Sequence, residues 1–592
     1  MSKSLGDYIV DRTESLDDEY IKKYFIDRND GKIDRLLDCE QYLLEGSRGI
    51  GKTMLMKMAE ITANSRFNTE GVLAVWVSFE ESLRLERIQV SKNASVDPFL
   101  QWTMGKILLE ILNRILLLKP ACVDELDVRL KKIFNKENQV NKISVYINQL
   151  RGYVDILEQG DISSNEEIEE QDISVELRRI LDNPISFKNF ILQLCLDVGI
   201  ERVVLLFDEA AHVFSTQQQE KFFTLFKSLR DPKIACKAAV YPGITNYGKY
   251  FEKGQDAKEM MLSWYPNEKN DIDYIKKILR ERIQEYDVDY WNLLTRNTEV
   301  INWICICSNG NPRFAFHIID NLDMSKAFSK KILTIQTLIN CIRSAFDEKW
   351  REFSTLENRM PKYKICIKEA EPFIKNIVQE NLKKWNNNKR EKQAKLSAGF
   401  FVETSVYEKI SGVFDVLAYA NIISIDYSKK SIKQTQKTHY GYYMMLNPSI
   451  LFTDLIIKST DEMFSVSIAI ENNQAYYETS KVIRDLFGKV KIEQNIKCSN
   501  SACTFSTNES FRFCPICGAP LEVPEDISLY KILRAHSIDN LKLSQWIIDS
   551  LKTKFSTIGE LQDAKIDDIR MYRIQDVRIE KIKNAVTEYM AG

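Results

Sequence analysis

The chain has 592 residues, of which 28% are charged and 44% hydrophobic, with a formal net charge of -2. That length is too great for one core and predicts about three to five domains of ordinary soluble composition. The near-neutral charge excludes a generally basic nucleic-acid binder, so any such affinity must come from local patches.

Residues 1–38 predict a helical lead-in, with Asp17, Asp18 and Glu19 opening a helix that runs to Phe25. Met1 to Asp30 is polar, mixed in charge and free of a secretory pattern. The longest apolar run, Ile107 to Leu118, is interrupted by Glu110, Asn113 and Arg114, which is not a membrane span. The expectation is a cytoplasmic protein with no membrane partner.

The chain is organised around Gly46-Ser47-Arg48-Gly49-Ile50-Gly51-Lys52-Thr53. This fits the phosphate-binding loop pattern, Gly, four residues, then Gly-Lys-Ser/Thr. Gln41 to Leu44 reads as a short buried strand before it, and Met54 to Glu60 as a helix after it. Glycines let backbone amides face phosphates, and the helix N-terminus adds its dipole. Lys52 is placed for the β- and γ-phosphates of ATP, and the Thr53 hydroxyl for Mg²⁺. The bland alternative, a Gly-rich turn, leaves the Lys-Thr pair unexplained.

Val72 to Phe79 predicts the next strand, and Pro98 opens a helix through Leu118. Glu158 to Asp172 reads as an acidic surface loop, and Phe187 to Val198 as an amphipathic helix. Then comes a buried parallel strand, Val203 to Phe207, ending in Asp208 and Glu209. Asp208 is the candidate for the Mg²⁺ shell, and Glu209 for polarising a water that attacks the γ-phosphate. About 155 residues separate Lys52 from Asp208, more than a minimal core needs, so a helical insertion is expected at about 95–185.

A helix through Leu229 and a strand from Ala235 to Tyr241 follow. Thr245 or Asn246 beyond that strand is either a γ-phosphate sensor or a turn former. Residues 269–350 read as helical and contain Gly310-Asn311-Pro312-Arg313. Arg313 near a helix start opposes the helix dipole and calls for an anion, unless it simply reaches solvent.

With these motifs assembled, the chain resembles the AAA+ superfamily, and within it the origin-recognition-complex-like ATPases and the related signalling NTPases. Gly46–Thr53 match Walker A, Val203–Glu209 match Walker B, and Gly310–Arg313 match sensor 2 in a helical lid. The resemblance implies ATP and Mg²⁺ as ligands and a γ-phosphate contact by Arg313. A homo-oligomer with activation in trans needs an arginine finger, for which Arg230, Arg280 and Arg282 are the candidates.

Beyond the lid, residues 361–460 outline a winged helix. Val406 to Ala420 reads as its helix, and Asn421 to Tyr427 and Tyr440 to Leu446 as its hairpin strands. Lys429, Lys430, Lys433 and Lys437 lie at the turn, and Lys383, Lys384, Lys389, Arg390, Lys392 and Lys395 form a second basic run. Such loops are either solvated surface or a DNA contact. The origin-recognition-like ATPases also carry a winged helix after the lid.

Of the 12 cysteines, eight are scattered and predict buried reduced thiols. The other four, Cys498, Cys503, Cys514 and Cys517, form two pairs that suit structural Zn²⁺. Their Cys-Pro-x-Cys-Gly half resembles a zinc-ribbon knuckle. The tail resembles a helix–hairpin–helix domain, with Arg573 and Gln575 at the positions where that family has glycines.

The predicted fold is an α/β P-loop NTPase core with a parallel sheet, helical insertion and helical lid, then winged helix, zinc ribbon and a small helical C-terminal domain. The expected boundaries are 1–38 lead-in, 39–265 core, 266–360 lid, 361–460 winged helix, 461–495 linker helix region, 496–524 ribbon and 525–592 tail. The function expected is an ATPase that couples nucleotide state to nucleic acid, DNA by its appendages. The alternative is an oligomerising ATP switch, in a prokaryotic defence or stress system, that acts through a protein partner.

Overall fold

The computed structural model describes residues 16–79, 97–134, 143–159, 174–210, 216–324, 333–360, 363–434 and 437–466, with shorter stretches between 477 and 586. The acidic loop after Glu158 falls largely outside them, as do Cys498, Arg573 and Gln575.

Two short helices, α1 (Asp18–Tyr24) and α2 (Lys32–Leu37), precede β1 (Tyr42–Glu45). The side chain of Asp17 caps α1, and Asp18 and Glu19 sit at the positive end of its dipole. After the phosphate loop come α3 (Lys52–Glu70) and β2 (Val72–Ser78). Among the described residues, five helices follow: α4 (Pro98–Leu118), α5 (Val123–Phe134), α6 (Ile143–Gln159), α7 (Val175–Leu181) and α8 (Pro184–Val198). Asp97 caps α4 and Pro98 takes its first turn, where a missing N–H costs nothing.

The core then returns to the sheet with β3 (Arg202–Asp208), α9 (Thr216–Ser228), β4 (Ile234–Val240) and β5 (Lys258–Met261). The strands run parallel in the order β2-β3-β4-β1-β5. Every residue of β4 and all but the first of β3 are buried, as in a parallel sheet covered on both faces, and the buried charge within β4, Lys237, is met by the Asp38 carboxylate at 3.0 Å. One face packs Leu44, Met56, Val204 and Ala239 with α2 and α3. The other joins the large core that continues through the five-helix region, the lid and the winged helix.

The lid comprises α10 (Lys269–Tyr286), α11 (Val288–Thr295), α12 (Thr298–Cys307), α13 (Pro312–Met324) and α14 (Ile335–Arg359). Next come α15 (Lys364–Phe373), a π-helical turn at Ile374–Gln379, and α16 (Glu380–Glu391). Pro372 inside α15 removes a backbone donor just before the widened turn.

The winged-helix elements are β6 (Gly399–Glu403), α17 (Thr404–Tyr419), β7 (Ile423–Gln434) and β8 (Lys437–Leu446), followed by α18 (Pro448–Thr453), α19 (Thr460–Ser465) and β9 (Tyr477–Glu478). The sheet order is β7-β8-β6-β9. Lid and winged helix are joined by buried contacts: Trp303 stacks on Phe452 at 4.0 Å, and Asn309 Nδ2 donates to Asn421 Oδ1 at 2.5 Å.

The C-terminal end contains a two-residue strand pair, β10 (Ile496–Lys497) with β11 (Ser506–Thr507). A separate small core built on α20 (Gln545–Leu551), α21 (Ile558–Asp563) and α22 (Ile566–Ile569) closes the described chain. No described helix is long and apolar enough to cross a membrane.

Candidate nucleotide site and accessory centres

The phosphate loop bridges β1 and α3 with Gly49 at φ 83° and Gly51 at φ 97°, left-handed conformations that favour glycine. Gly49 also makes way for the lid: a Cβ there would lie 2.4 Å from Asn311 Nδ2. No side chain caps α3, which leaves its N-terminal amides for an anion. That uncapped helix start, with Thr53 and Asp208 as oxygen donors, fits a triphosphate with Mg²⁺.

Lys52 is buried, and its Nζ donates to Gly46 O at 2.7 Å and Ser47 O at 3.0 Å. The same Nζ lies 3.9 Å over the ring of Tyr241. Burial pushes the Lys52 pKa down to about 8, against the pull of Glu209 and Asp208. Asp208 ends β3, and its Oδ1 accepts the Glu209 amide at 3.0 Å. Glu209 has φ 62°, a conformation non-glycine residues hold at a cost and mostly where function uses it. The loop, Lys52, Asp208 and Glu209 thus converge beyond the C-terminal ends of β1, β3 and β4, where open α/β sheets bind ligands.

Thr245 and Asn246 form turns. Thr245 Oγ1 accepts the Tyr241 amide at 3.0 Å, and Asn246 Nδ2 donates to Thr216 O at 3.0 Å. The side chain that occupies the end of β4 is instead Tyr241, which the strand pattern had absorbed as a last apolar residue. Burial raises its phenol pKa well above the ordinary value, and Glu209, Tyr419 and Asp208 raise it further. Half-buried Lys349 of α14 also faces this region. Its Nζ lies 5.1 Å over the Phe314 ring, and burial lowers its pKa to about 8 with Arg48 adding to the shift. No periodicity could have singled out Lys349, because its neighbours are set by the lid's fold.

Arg313 lies exposed in the first turn of α13 and makes no hydrogen bond or ion pair with a described residue. Of the arginine-finger candidates, Arg230 and Arg280 are exposed with surface contacts and Arg282 is buried. Arg230 donates to Gln255 O at 3.2 Å and Arg280 pairs with Glu281 at 3.0 Å. Arg282 is buried against the rings of Tyr20, Tyr24 and Phe316.

In the winged helix, β7 and β8 are longer than the sequence pattern suggests and carry the basic hairpin outward. Lys429 is exposed, 5.6 Å from the Tyr440 ring, whereas Lys430 pairs with Asp426 at 3.0 Å. The side chains of Lys433 and Lys437 lie outside the described residues. In the other basic run, Arg390 forks onto Glu462, with both bonds at 2.8 Å, so it serves packing.

Of the scattered cysteines, Cys195, Cys236, Cys305, Cys307, Cys341 and Cys366 are buried, while Cys122 is partly buried and Cys39 exposed. The sulfurs of Cys503, Cys514 and Cys517 lie within 4.8 Å of one another, with Cys503 and Cys514 at 3.7 Å. Thiolates about 2.3 Å from a tetrahedral Zn²⁺ stand about 3.8 Å apart, so the spacing fits zinc and is far too long for a disulfide. The Gly518 amide donates to Cys514 O at 2.9 Å with φ 70° at Gly518, which closes the knuckle. In the tail, Thr557 and Glu560 form a reciprocal capping box, and Lys583 Nζ closes the other end of α21 on Ala564 O at 2.7 Å.

Fold and site together define an AAA+-type P-loop protein with a lid and a winged helix. The ORC-CDC6-like family profile matches residues 10–404, and the chain belongs to that family of ATP-dependent, DNA-associated proteins. No curated protein sequence matches it. Among solved structures, it is similar to the Aeropyrum pernix ORC2 protein in ADPNP–ADP complexes, at 12% identity over 73% of this chain and 93% of that one, with a TM-score of 0.29. It is also similar to the Aeropyrum pernix ORC1 protein in complex with DNA, at 11% identity over 74% of this chain and 94% of that one, with a TM-score of 0.28.

Proposed function

We propose that this protein binds and hydrolyses ATP and couples its nucleotide state to DNA binding. The observation that carries this reading is the convergence of an uncapped α3 start, Lys52, Asp208 and Glu209 at one end of a parallel sheet. In it, the loop amides and Lys52 bind the β- and γ-phosphates, and Thr53 and Asp208 hold Mg²⁺. The metal supplies charge neutralisation at the phosphate oxygens. Glu209 orients the attacking water and accepts its proton. Arg313, uncommitted in the lid, takes the γ-phosphate and so reports its presence to the helices packed behind it. The hairpin lysines, Lys429 first, and the C-terminal tail are the surfaces for DNA. Zinc at the cysteine cluster is structural.

ATP turnover measured with and without duplex DNA, at low and moderate salt, tests this reading beside Glu209→Gln. The expected result is DNA stimulation that fades with salt, and loss of about 10²–10⁴-fold in turnover in the variant with nucleotide binding retained. Turnover that is indifferent to DNA would turn the conclusion to an oligomerising switch acting through a protein partner.

A further inference from the structure

The middle of the phosphate loop is gripped from both sides by the C-terminal half of the fold. The Arg48 amide faces the carbonyl of Tyr419, the last residue of α17, at 3.5 Å. The Arg48 carbonyl accepts from Asn311 Nδ2 of the lid at 3.4 Å. Tyr419 is buried, and its ring meets Tyr241 edge-on at 5.1 Å, on the residue whose face carries Lys52. One turn earlier in α17, Asp415 fills the space above Gly243, where a Cβ would lie 2.2 Å from its Oδ1. Lys52 meanwhile is folded onto the loop's own carbonyls.

Two of these contacts engage groups a triphosphate needs, the Arg48 amide and the Lys52 ammonium. One amide cannot donate well to a peptide carbonyl and to a phosphate oxygen together. The Arg48–Tyr419 bond is long and therefore weak, whereas an amide bond to an anionic oxygen is about twice as strong as a neutral one. Exchange thus favours the phosphate, opposed by the tyrosine packing that must be undone.

We propose that the C-terminal end of α17 is an intramolecular plug for the phosphate loop, so that nucleotide loading and winged-helix docking exclude one another at Arg48. The inference rests on the ATP reading above and adds its regulation. α17 leads directly into β7 and the basic hairpin, so undocking the plug moves the surface assigned to DNA. By linkage, whatever holds the winged helix away from the core must tighten nucleotide binding by the same factor that nucleotide favours undocking.

Tyr419→Ala removes the docking ring, and Gly243→Ala wedges Asp415 away from the opposite side. Tyr419→Phe keeps both the ring and the carbonyl. Two quantities are measured on the full chain: the dissociation constant of a fluorescent non-hydrolysable ATP analogue, and hydrogen exchange of segment 46–53 without nucleotide. The expected result is a dissociation constant lowered about fivefold or more in Tyr419→Ala and Gly243→Ala, with faster exchange in the loop and wild-type behaviour in Tyr419→Phe. Unchanged or weakened analogue binding in both alanine variants, with native melting retained, overturns the plug and leaves the ATP reading standing. No analogue binding to any form, wild type included, sinks the ATP reading, and the plug as a nucleotide gate falls with it.

Discussion

Around the phosphate loop, order comes from burial. β3 from Val203 onward and the whole of β4 are buried, Phe79, Phe207, Phe222 and Phe226 interlock behind them, and the same core runs unbroken to Val466. At the cysteine knuckle, Cys514 is the one buried side chain among residues 500, 503 and 514–519, and Ile516 beside it is 71% exposed. The first region can hold charged residues such as Lys52 and Asp208 under strain because its framework is over-determined. Among the described residues of the second, three cysteine sulfurs within 4.8 Å of one another are the feature a ligand could bind together.

Metal removal gives the largest test of that contrast. Zinc bound by such a cluster contributes about 10–16 kcal/mol of apparent folding energy at neutral pH. Purified protein should contain zinc, and chelation or Cys514→Ser should open residues 496–524 to proteolysis. Melting of the nucleotide-binding core should stay unchanged, since its hydrophobic cluster ends at Val466. Natively folded protein without zinc, or a knuckle indifferent to chelation, would remove the metal and leave the region's order unexplained.

A smaller effect tests the buried cation of the other region. Lys52 has its pKa lowered to about 8 in the fold from 10.5 when free. Between these values the unfolded chain binds more protons than the native one, so this group makes the nucleotide-free fold more stable as pH rises through that window. Nucleotide binding has the opposite sign, because only the charged ammonium attracts phosphate. Affinity for the ATP analogue should therefore hold below about pH 8 and fall above it by at most about tenfold per pH unit. Isothermal titration across pH 7–10 would read it, and a flat profile would mean that Lys52 does not carry the phosphate contact.

What the sequence revealed of these regions depended on whether local chemistry or docking fixed the residue. The start of Pro98–Leu118 was legible because Asp97 caps it and Pro98 suits a first turn. The strand ending in Asp208 was legible because a parallel strand is a continuous apolar run. The hairpin strands were read short, as 421–427 and 440–446, because their outer residues are mostly polar in sequence and a register shift intervenes between Asp426 and Lys430. Tyr241, Tyr419 and Lys349 were invisible, since each looks like an ordinary strand or helix residue until lid and winged helix fold back onto the loop. Arg390 misled in the other direction: it lay in a basic run, yet its guanidinium is spent on Glu462.

That lesson about spent charges gives the smallest expected effect. Two adjacent lysines on the hairpin differ only in company: Lys430 is held by Asp426 at 3.0 Å, while Lys429 extends beside Tyr440. A lysine that already has a carboxylate partner must give it up to meet a phosphate, and its removal also frees that carboxylate to repel the backbone. If the hairpin contacts DNA, Lys429→Ala should reduce the slope of log affinity against log salt by about one and weaken binding of every duplex alike. Lys430→Ala should change the slope less while still weakening binding, through the Asp426 it uncovers. Fluorescence anisotropy over a salt series separates the two variants. Identical slopes in wild type and Lys429→Ala would take the hairpin off the phosphate backbone and leave the C-terminal tail as the surface to test.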